Sequence, residues 1–356
     1  MSKIILFIYL SFITADIPDG YYDSTQGLTG INLKISLHEI IDNHTVQSYN
    51  SIHDHFETTD RKFNNTVWDM YSDSPDESPE YVYNFTSSDQ CGNYSGEGDC
   101  YNREHSWPKS WFNNASPMNS DLFHLYPTDG YVNSHRGNYP YGDVDSPSWI
   151  STNGSKKGIS SNLGYNGIVF EPIDEYKGDF ARTYFYMSTR YYNEDSSWDN
   201  TDMTNGAELK EWALNAMINW HLNDPVSNKE IIRNDEIYLI QGNRNPFIDI
   251  PAWVECIWTT NCNLDIQDFR KKSSIKINSY MKKNHYILEL NAKIKHLMKI
   301  NIVNIQGKKV KTIFSGTNQI GLNQFQFNPQ NIANGIYFFQ VKYSNITLSE
   351  KIIIIK

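Results

Sequence analysis

CYNREHSWPKSWFNNASPMNSDLFHLYPTDGYVNSHRGNYPYG, residues 100–142, sets Glu104 beside His105 and then, in a second block opening at Asp121, places Asn133 three residues before Arg136. A histidine is the side chain that offers a neutral proton acceptor near pH 7. The Glu104 carboxylate and the Asn133 amide carbonyl are hard oxygen donors, better matched to Mg²⁺ or Ca²⁺ than to a soft metal. Pro127, Thr128 and Asp129 read as a helix start and Gly137 as its stop, which makes the helix short and puts Asn133, Arg136 and Asp129 on one face. His105 as base, Glu104 and Asn133 as cation ligands and Arg136 as anion holder are the parts that water-driven cleavage of a phosphodiester needs. His124, between Leu122 and Leu125, reads as a packed group and not as the base.

On either side of this window the pattern is mixed. LKISLHEIIDNH (33–44) repeats apolar residues at three and four and predicts a helix, as does AELKEWALNAMINWHLNDP (207–225), which stops before Pro225. Between them, Tyr-, Gly-, Asn- and Ser-rich stretches, including Tyr141 to Tyr165, read as ordered loops and not as a regular sheet, and no internal repeat is visible. HEIIDNH (38–44) is not a zinc helix, because its two histidines are six residues apart and leave the shared face. HDH (53–55) reads as a capping or solvated cluster on an exposed helix.

The chain has 356 residues, 39% apolar and 20% charged, which excludes a disordered or membrane-embedded class and predicts two folded units. Met1 to Ala15, with Lys3 followed by IILFIYLSFIT, has the form of a signal peptide, and no other run is long enough to span a bilayer. Cys91 with Cys100 and Cys256 with Cys262 fall into two close pairs, predicted to form local disulfides outside the cytoplasm; neither has the C-x-x-C spacing of a zinc site. The net charge of −10 conceals a division: residues 271–356 hold 14 lysines and two glutamates (+12), leaving 17 basic and 39 acidic residues before them (−22). A boundary near Arg270 follows, giving a unit at 16–270 and another at 271–356. The basic tail, with KINIVNI, NQFQFN, GIYFFQVKY and KIIIIK separated by turn residues, predicts a small antiparallel β-sandwich. The fold class is therefore α+β, a helical and loop-rich first unit followed by a small antiparallel sandwich.

REHSWPKSWF followed by DLxHLYPTDGYVNSxRxNYPxG, with KGDFARTYFYMSTRYY (177–192) and IYLIQGNRNPFID (237–249), closely resembles the secreted bacterial endonuclease I family over roughly residues 18 to 262. The resemblance implies a ββα-metal core of the His-Me finger type, with the histidine at a strand end and the asparagine on the following helix. By position, Glu104 and Asn133 match the metal ligands and His105 the base, while Arg136 and Arg182 resemble arginines that bind the scissile phosphate. It implies a secreted, metal-dependent endonuclease using Mg²⁺, with Mn²⁺ or Ca²⁺ as alternatives, that cleaves DNA and often RNA with little sequence preference and leaves 5′-phosphate ends. Two positions depart from the pattern: Phe123 and Ile250 each stand where related sequences often carry histidine. The tail, NIQGKKVKTIF through NGIYFFQVKYSN to KIIIIK, resembles the C-terminal sorting domain of the type IX secretion system without its usual PNP, which implies secretion machinery as a partner and an extracellular or cell-surface location.

The acidity of the first 270 residues opposes nucleic-acid binding if taken globally. Cleavage needs only a local cleft, however, and Arg103, Lys109, Arg136, Lys156, Lys157, Lys177, Arg182 and Arg190 lie near the motifs, where a bound divalent ion would add charge. Weak, salt-sensitive contact with backbone phosphates is expected. A monomer is expected. The alternatives are an extracellular phosphodiesterase or phosphatase acting on small substrates, and a non-catalytic surface-binding protein.

Overall fold

In the computed structural model the described residues are 17–262, except 63, 76 and 77, and 275–354, except 283–284, 293–296, 305–306, 320, 331 and 344–345. The leader predicted at residues 1–15 and the boundary near Arg270 lie outside them. The chain divides into two compact units, the first beginning at Ile17 and the second containing every strand from Ile275 onward.

Helix α1 (Gly30–Ile41) buries Leu33, Leu37 and Ile41, the spacing-of-four stripe visible in the sequence, and α2 is Ile52–Thr59. Strand β1 (Tyr101–His105) then pairs antiparallel with β2 (Leu125–Asp129), Glu104 opposite Tyr126 and His105 opposite Leu125. Helix α3 (Gly130–Arg136) follows at once: the Asp129 carboxylate caps it through the Val132 N–H, and Gly137 closes it at φ 55°. Pro127 and Thr128, expected to open the helix, are strand residues instead, because the ladder with Arg103 and Asn102 claims them first. Asp129 turns away from the shared face and accepts from Tyr83 and the Gly98 N–H.

Residues 141–165, expected to be loops, contain β3 (Val144–Ile150) and β4 (Lys156–Ser160), which with β5 (Ile168–Glu171) form a three-stranded antiparallel sheet in the order given. The centre of the unit is α4 (Asp174–Arg190), buried along nearly its whole circumference, so the amphipathic stripe that usually marks a surface helix is lacking. After the two-residue strands β6 (Thr204–Asn205) and β7 (Glu208–Leu209) come α5 (Glu211–Asn223), α6 (Asn228–Gln241), α7 (Pro246–Asp249) and α8 (Trp253–Trp258). α6 starts with a reciprocal capping box between Ser227 and Glu230.

Both cysteine pairs are bonded, Cys91 to Cys100 and Cys256 to Cys262. The first bridge presses on the start of α3: a Cβ on Gly130 would stand 2.5 Å from the Cys91 sulfur, so only glycine fits there.

The second unit is the predicted β-sandwich. β8 (Ile275–Lys282), β9 (His285–Ala292) and β12 (Gly321–Phe327) form one antiparallel sheet, in the order β12-β9-β8. β10 (Leu297–Asn304), β11 (Lys309–Thr317), β13 (Gly335–Tyr343) and β14 (Ile346–Ile354) form the other, ordered β11-β10-β13-β14. Alternate residues of both sheets, including Leu288, Leu290, Ile300, Ile302, Phe327, Phe339, Val341 and Ile352, share one core.

Candidate active site

β1 ends where a cleft of about 280 Å³ opens, and the cleft brings Glu104, His105, Asn133 and Arg136 together with Asn102, Arg103 and Lys109. Consecutive residues of a strand point to opposite sides. Glu104 therefore meets one set of neighbours and His105 another, with the strand end between them.

On the Glu104 side, Arg136 donates from Nη1 to Glu104 Oε1 at 2.8 Å and to the His105 carbonyl at 3.0 Å, and from Nη2 to the Ser106 carbonyl. Tyr71 donates to the same Glu104 oxygen at 2.9 Å and receives a 2.5 Å bond from Tyr141, whose ring centre lies 4.6 Å from the Arg136 guanidinium. The bonds from Arg136 and Tyr71 both fall on Oε1, and the Asn133 amide lends the carboxylate further support. Asn133 donates from Nδ2 to Asn102 Oδ1 at 2.7 Å, which leaves its carbonyl oxygen available. Burial pushes the Glu104 carboxyl above its ordinary range, against the opposing pull of Arg136, Tyr71 and Asn133. A cation beside Oε2 would favour the ionised form, and one carboxylate with one amide carbonyl is a donor set that fits a hard divalent ion.

On the other side, His105 Nε2 lies 3.1 Å from the Asn119 carbonyl, which only accepts, so Nε2 carries the hydrogen and Nδ1 keeps its lone pair. Burial holds the imidazole well below the usual histidine pKa, helped by the nearby charges of His124, Lys109 and Arg103 and opposed by the Asn119 bond. The ring is fixed by Tyr49, stacked at 5.7 Å and 21°, by His124 at 5.4 Å and by Phe112 at 6.1 Å. Tyr49 also takes the Arg103 guanidinium over its ring at 4.0 Å and accepts from Arg103 Nη1 on its carbonyl at 2.8 Å. Arg103 and Lys109 are the cations of the cleft that no carboxylate neutralises among the described residues.

The structure revises several expectations. Arg136 lines the cleft but is 1% exposed, and its guanidinium bonds Glu104 and the carbonyls of His105 and Ser106. Arg182 lies outside the cleft altogether: fully buried on α4, it pairs with both oxygens of Glu230 and donates to the Asp224 carbonyl at 2.8 Å. His124 is a packed group as expected, its Nε2 bonded to the Met118 carbonyl at 2.7 Å. Phe123 packs on Tyr186 at 4.5 Å and Ile250 is buried, so neither departure enters the cleft. His53 is not a capping or solvated group; it packs edge-on against Phe56 and Tyr101, and burial lowers its pKa to about 4. Tyr71, Tyr141, Tyr49 and Asn119 escaped the sequence reading because each reaches the site from a distant segment or through its backbone.

Two other features compete for attention. A larger hollow of about 520 Å³ beside Asp143, Asn162 and Trp212 has no histidine and no cation in its lining. His38, Asp42 and Glu194 cluster closely enough for a metal, but Arg190 Nη1 already sits 2.9 Å from Asp42 and 3.0 Å from Glu194, and none of the three lines the cleft.

Residues 29–252 match the family described as Endonuclease I, and residues 282–355 match the secretion system C-terminal sorting domain. The extracellular ribonuclease of Bacillus subtilis (strain 168) is 34% identical over 248 residues, covering 67% of this chain and 78% of that protein. The extracellular ribonuclease of Bacillus amyloliquefaciens is 36% identical over 247 residues, covering 67% and 78%. An extracellular deoxyribonuclease of Aeromonas hydrophila is 28% identical over 133 residues, covering 37% of this chain and 50% of that protein.

Proposed function

The chain belongs to the endonuclease I family, and from that footing we propose that it cuts phosphodiester bonds within DNA and RNA using His105 as general base and Glu104 with Asn133 to hold Mg²⁺. It is a secreted nuclease, a phosphodiester hydrolase, with a C-terminal sorting domain, and no helix among the described residues is long and apolar enough to cross a membrane. We further propose that the nuclease unit occupies 16–270 and the sorting unit 271–356, that residues 1–15 are a leader, that the secretion machinery is met through the sorting unit, and that the protein acts as a monomer.

The observation that carries the catalytic reading is the gathering, in one cleft, of an imidazole with a free Nδ1 lone pair, a carboxylate held through one oxygen by Arg136 and Tyr71, and the carbonyl oxygen of Asn133. His105 Nδ1 takes the proton from the attacking water while Asn119 keeps the ring in the right tautomer. Glu104 and Asn133 would hold a divalent ion, which would supply Lewis-acid stabilisation of the charge building on the phosphate and the departing 3′ oxygen; cleavage on that side leaves 5′-phosphate ends. Arg103 and Lys109 take the role of phosphate holders, while Arg136 keeps Glu104 in place. The names of the relatives, ribonuclease for two and deoxyribonuclease for another, support a substrate range covering both nucleic acids. Mn²⁺ and Ca²⁺ are the alternative ions.

Plasmid and RNA cleavage by the wild-type chain and a folded His105→Ala variant, with Mg²⁺ and with chelator, tests this. Metal-dependent cleavage that falls at least about 100-fold in the variant is expected. A folded wild type that leaves both substrates intact in Mg²⁺, Mn²⁺ and Ca²⁺ would overturn the reading.

A further inference from the structure

Beyond the hydrolytic groups, the outer side of α3 and the facing sheet carry a second, unused set. Ser134, Gly137 and Asn138 line the cleft, and His135 and Tyr139 are interleaved with them on the same segment. Tyr139 is 38% exposed, and Lys157 stands over its ring at 5.7 Å. His135 stacks on Trp149 at 4.1 Å with the rings only 6° from parallel, and Tyr131 meets His135 edge-on at 4.8 Å. Trp149 and Lys157 are direct partners across the β3–β4 ladder, so the two groups form one continuous patch.

The placement of Trp149 is built by the backbone. The β3–β4 register shifts between Pro147 and Trp149, leaving Ser148 unpaired with its hydroxyl on the Lys157 carbonyl, and Gly158 allows the close approach, since a Cβ there would meet the Ser146 carbonyl at 2.2 Å. Such a bulge re-aims a side chain at the expense of regular pairing. Lys157 has no carboxylate partner among the described residues, whereas Lys156 and Lys177 are tied to Glu171. The nearby Glu97 carboxylate is occupied by the Thr152 N–H and hydroxyl.

We propose that Tyr139 and Lys157, backed by the His135–Trp149 stack, form a subsite for a nucleotide flanking the scissile phosphate, with its phosphate on Lys157 and its unstacked base on the aromatic side chains. The subsite rests on the nuclease reading of the cleft and makes single-stranded nucleic acid the preferred substrate. An ammonium beside an exposed aromatic ring is the combination that holds single strands regardless of sequence, since every base has a π-face to stack.

The test compares the full chain with Lys157→Gln and Tyr139→Ala. Binding of a labelled 20-nucleotide single strand is followed by anisotropy in chelator across a salt series, and cleavage kinetics are measured on the same strand and on bis(p-nitrophenyl) phosphate. Lys157→Gln should flatten the plot of log affinity against log salt by about 0.7. Tyr139→Ala should weaken single-strand binding by about 5-fold or more and affect a duplex of the same sequence less. Both variants should raise KM on the strand and leave small-diester turnover unchanged. An unchanged salt slope, equal losses on strand and duplex, or equal losses on strand and small diester would each overturn the subsite. If the wild type cuts neither substrate, the nuclease reading fails on its own, and the binding series still decides whether the patch holds a strand.

Discussion

Replacing Arg182 by methionine should cost stability and leave chemistry intact, the reverse of what a phosphate-binding arginine would do. The guanidinium is fully buried, bonded to both oxygens of a Glu230 that is itself 3% exposed, and linked to the Asp224 carbonyl at 2.8 Å. Removing it strands the Glu230 carboxylate in the interior with Asp179 close by, and breaking a buried pair from one side costs about 3–5 kcal/mol. In a unit of this size, each kcal/mol moves the midpoint by roughly 2–4 °C, so the variant should melt roughly 6–20 °C lower. Calorimetry reads that shift, and kcat/KM on a single strand at 10 °C, where the variant is folded, should stay within about twofold of wild type. Adding Glu230→Gln should restore part of the loss, because the stranded charge is gone and the amide still serves the N-terminus of α6. A variant with wild-type melting and a tenfold higher KM would refute the assignment and return Arg182 to the substrate.

Arg136→Lys keeps the charge but loses the fork that spans Glu104 and two carbonyls; Mn²⁺ affinity measured by calorimetry should fall about 10–100-fold, and unchanged affinity would count against the positioning role. Because burial holds His105 well below 6.5, the base is already neutral at pH 6.5, so kcat/KM should be level from pH 7.5 to 6.5 and decline only in more acidic solution; a limb centred at or above 6.5 would contradict this. His221 is held at about 3 by burial and by Arg182, against 6.5 when unfolded, so its neutral state favours folding above pH 6.5 and the benefit drains away as pH falls towards 3. From pH 7.5 to 5.0 this amounts to about 2 kcal/mol, so urea unfolding of wild type should lose that much more than His221→Gln, and equal losses would show that another group controls the acid response.

Local patterns made the helices and the juxtaposition of candidate residues readable. Leu33, Leu37 and Ile41 repeat at four, Asn133 and Arg136 lie three apart, and both disulfides close loops of fewer than ten residues, so each needs only near neighbours to be recognised. The β3–β5 sheet was hidden because VDSPSWI contains a proline, faces mostly outward and is bulged twice, which erases the alternation that marks a strand. Arg182 misled because α4 is buried on nearly all sides, so nothing local separates a buried arginine from one in a cleft; its partner Glu230 is 48 residues away. Tyr71 reaches Glu104 across 33 residues, a distance at which spacing carries no signal.

The antiparallel register of β1 also fixes how the gene can drift in length. Side chains alternate along a strand, so deleting a single codon between Tyr101 and His105 would exchange the faces of everything beyond it, sending the imidazole towards Arg136 and the carboxylate towards Tyr49. Substitution inside β1 degrades the site by degrees, whereas a one-residue frame slip abolishes it at once. The excursion from Ser106 to His124 is constrained differently: Asn119 must still return its carbonyl to the ring, but the turn around Asn113 and Asn114 is exposed and held mainly by its own backbone and one bond from Asn113 to the Ser197 carbonyl, so it tolerates added length better than the strand. Length polymorphism should accumulate at that turn and be purged from the five residues of the strand.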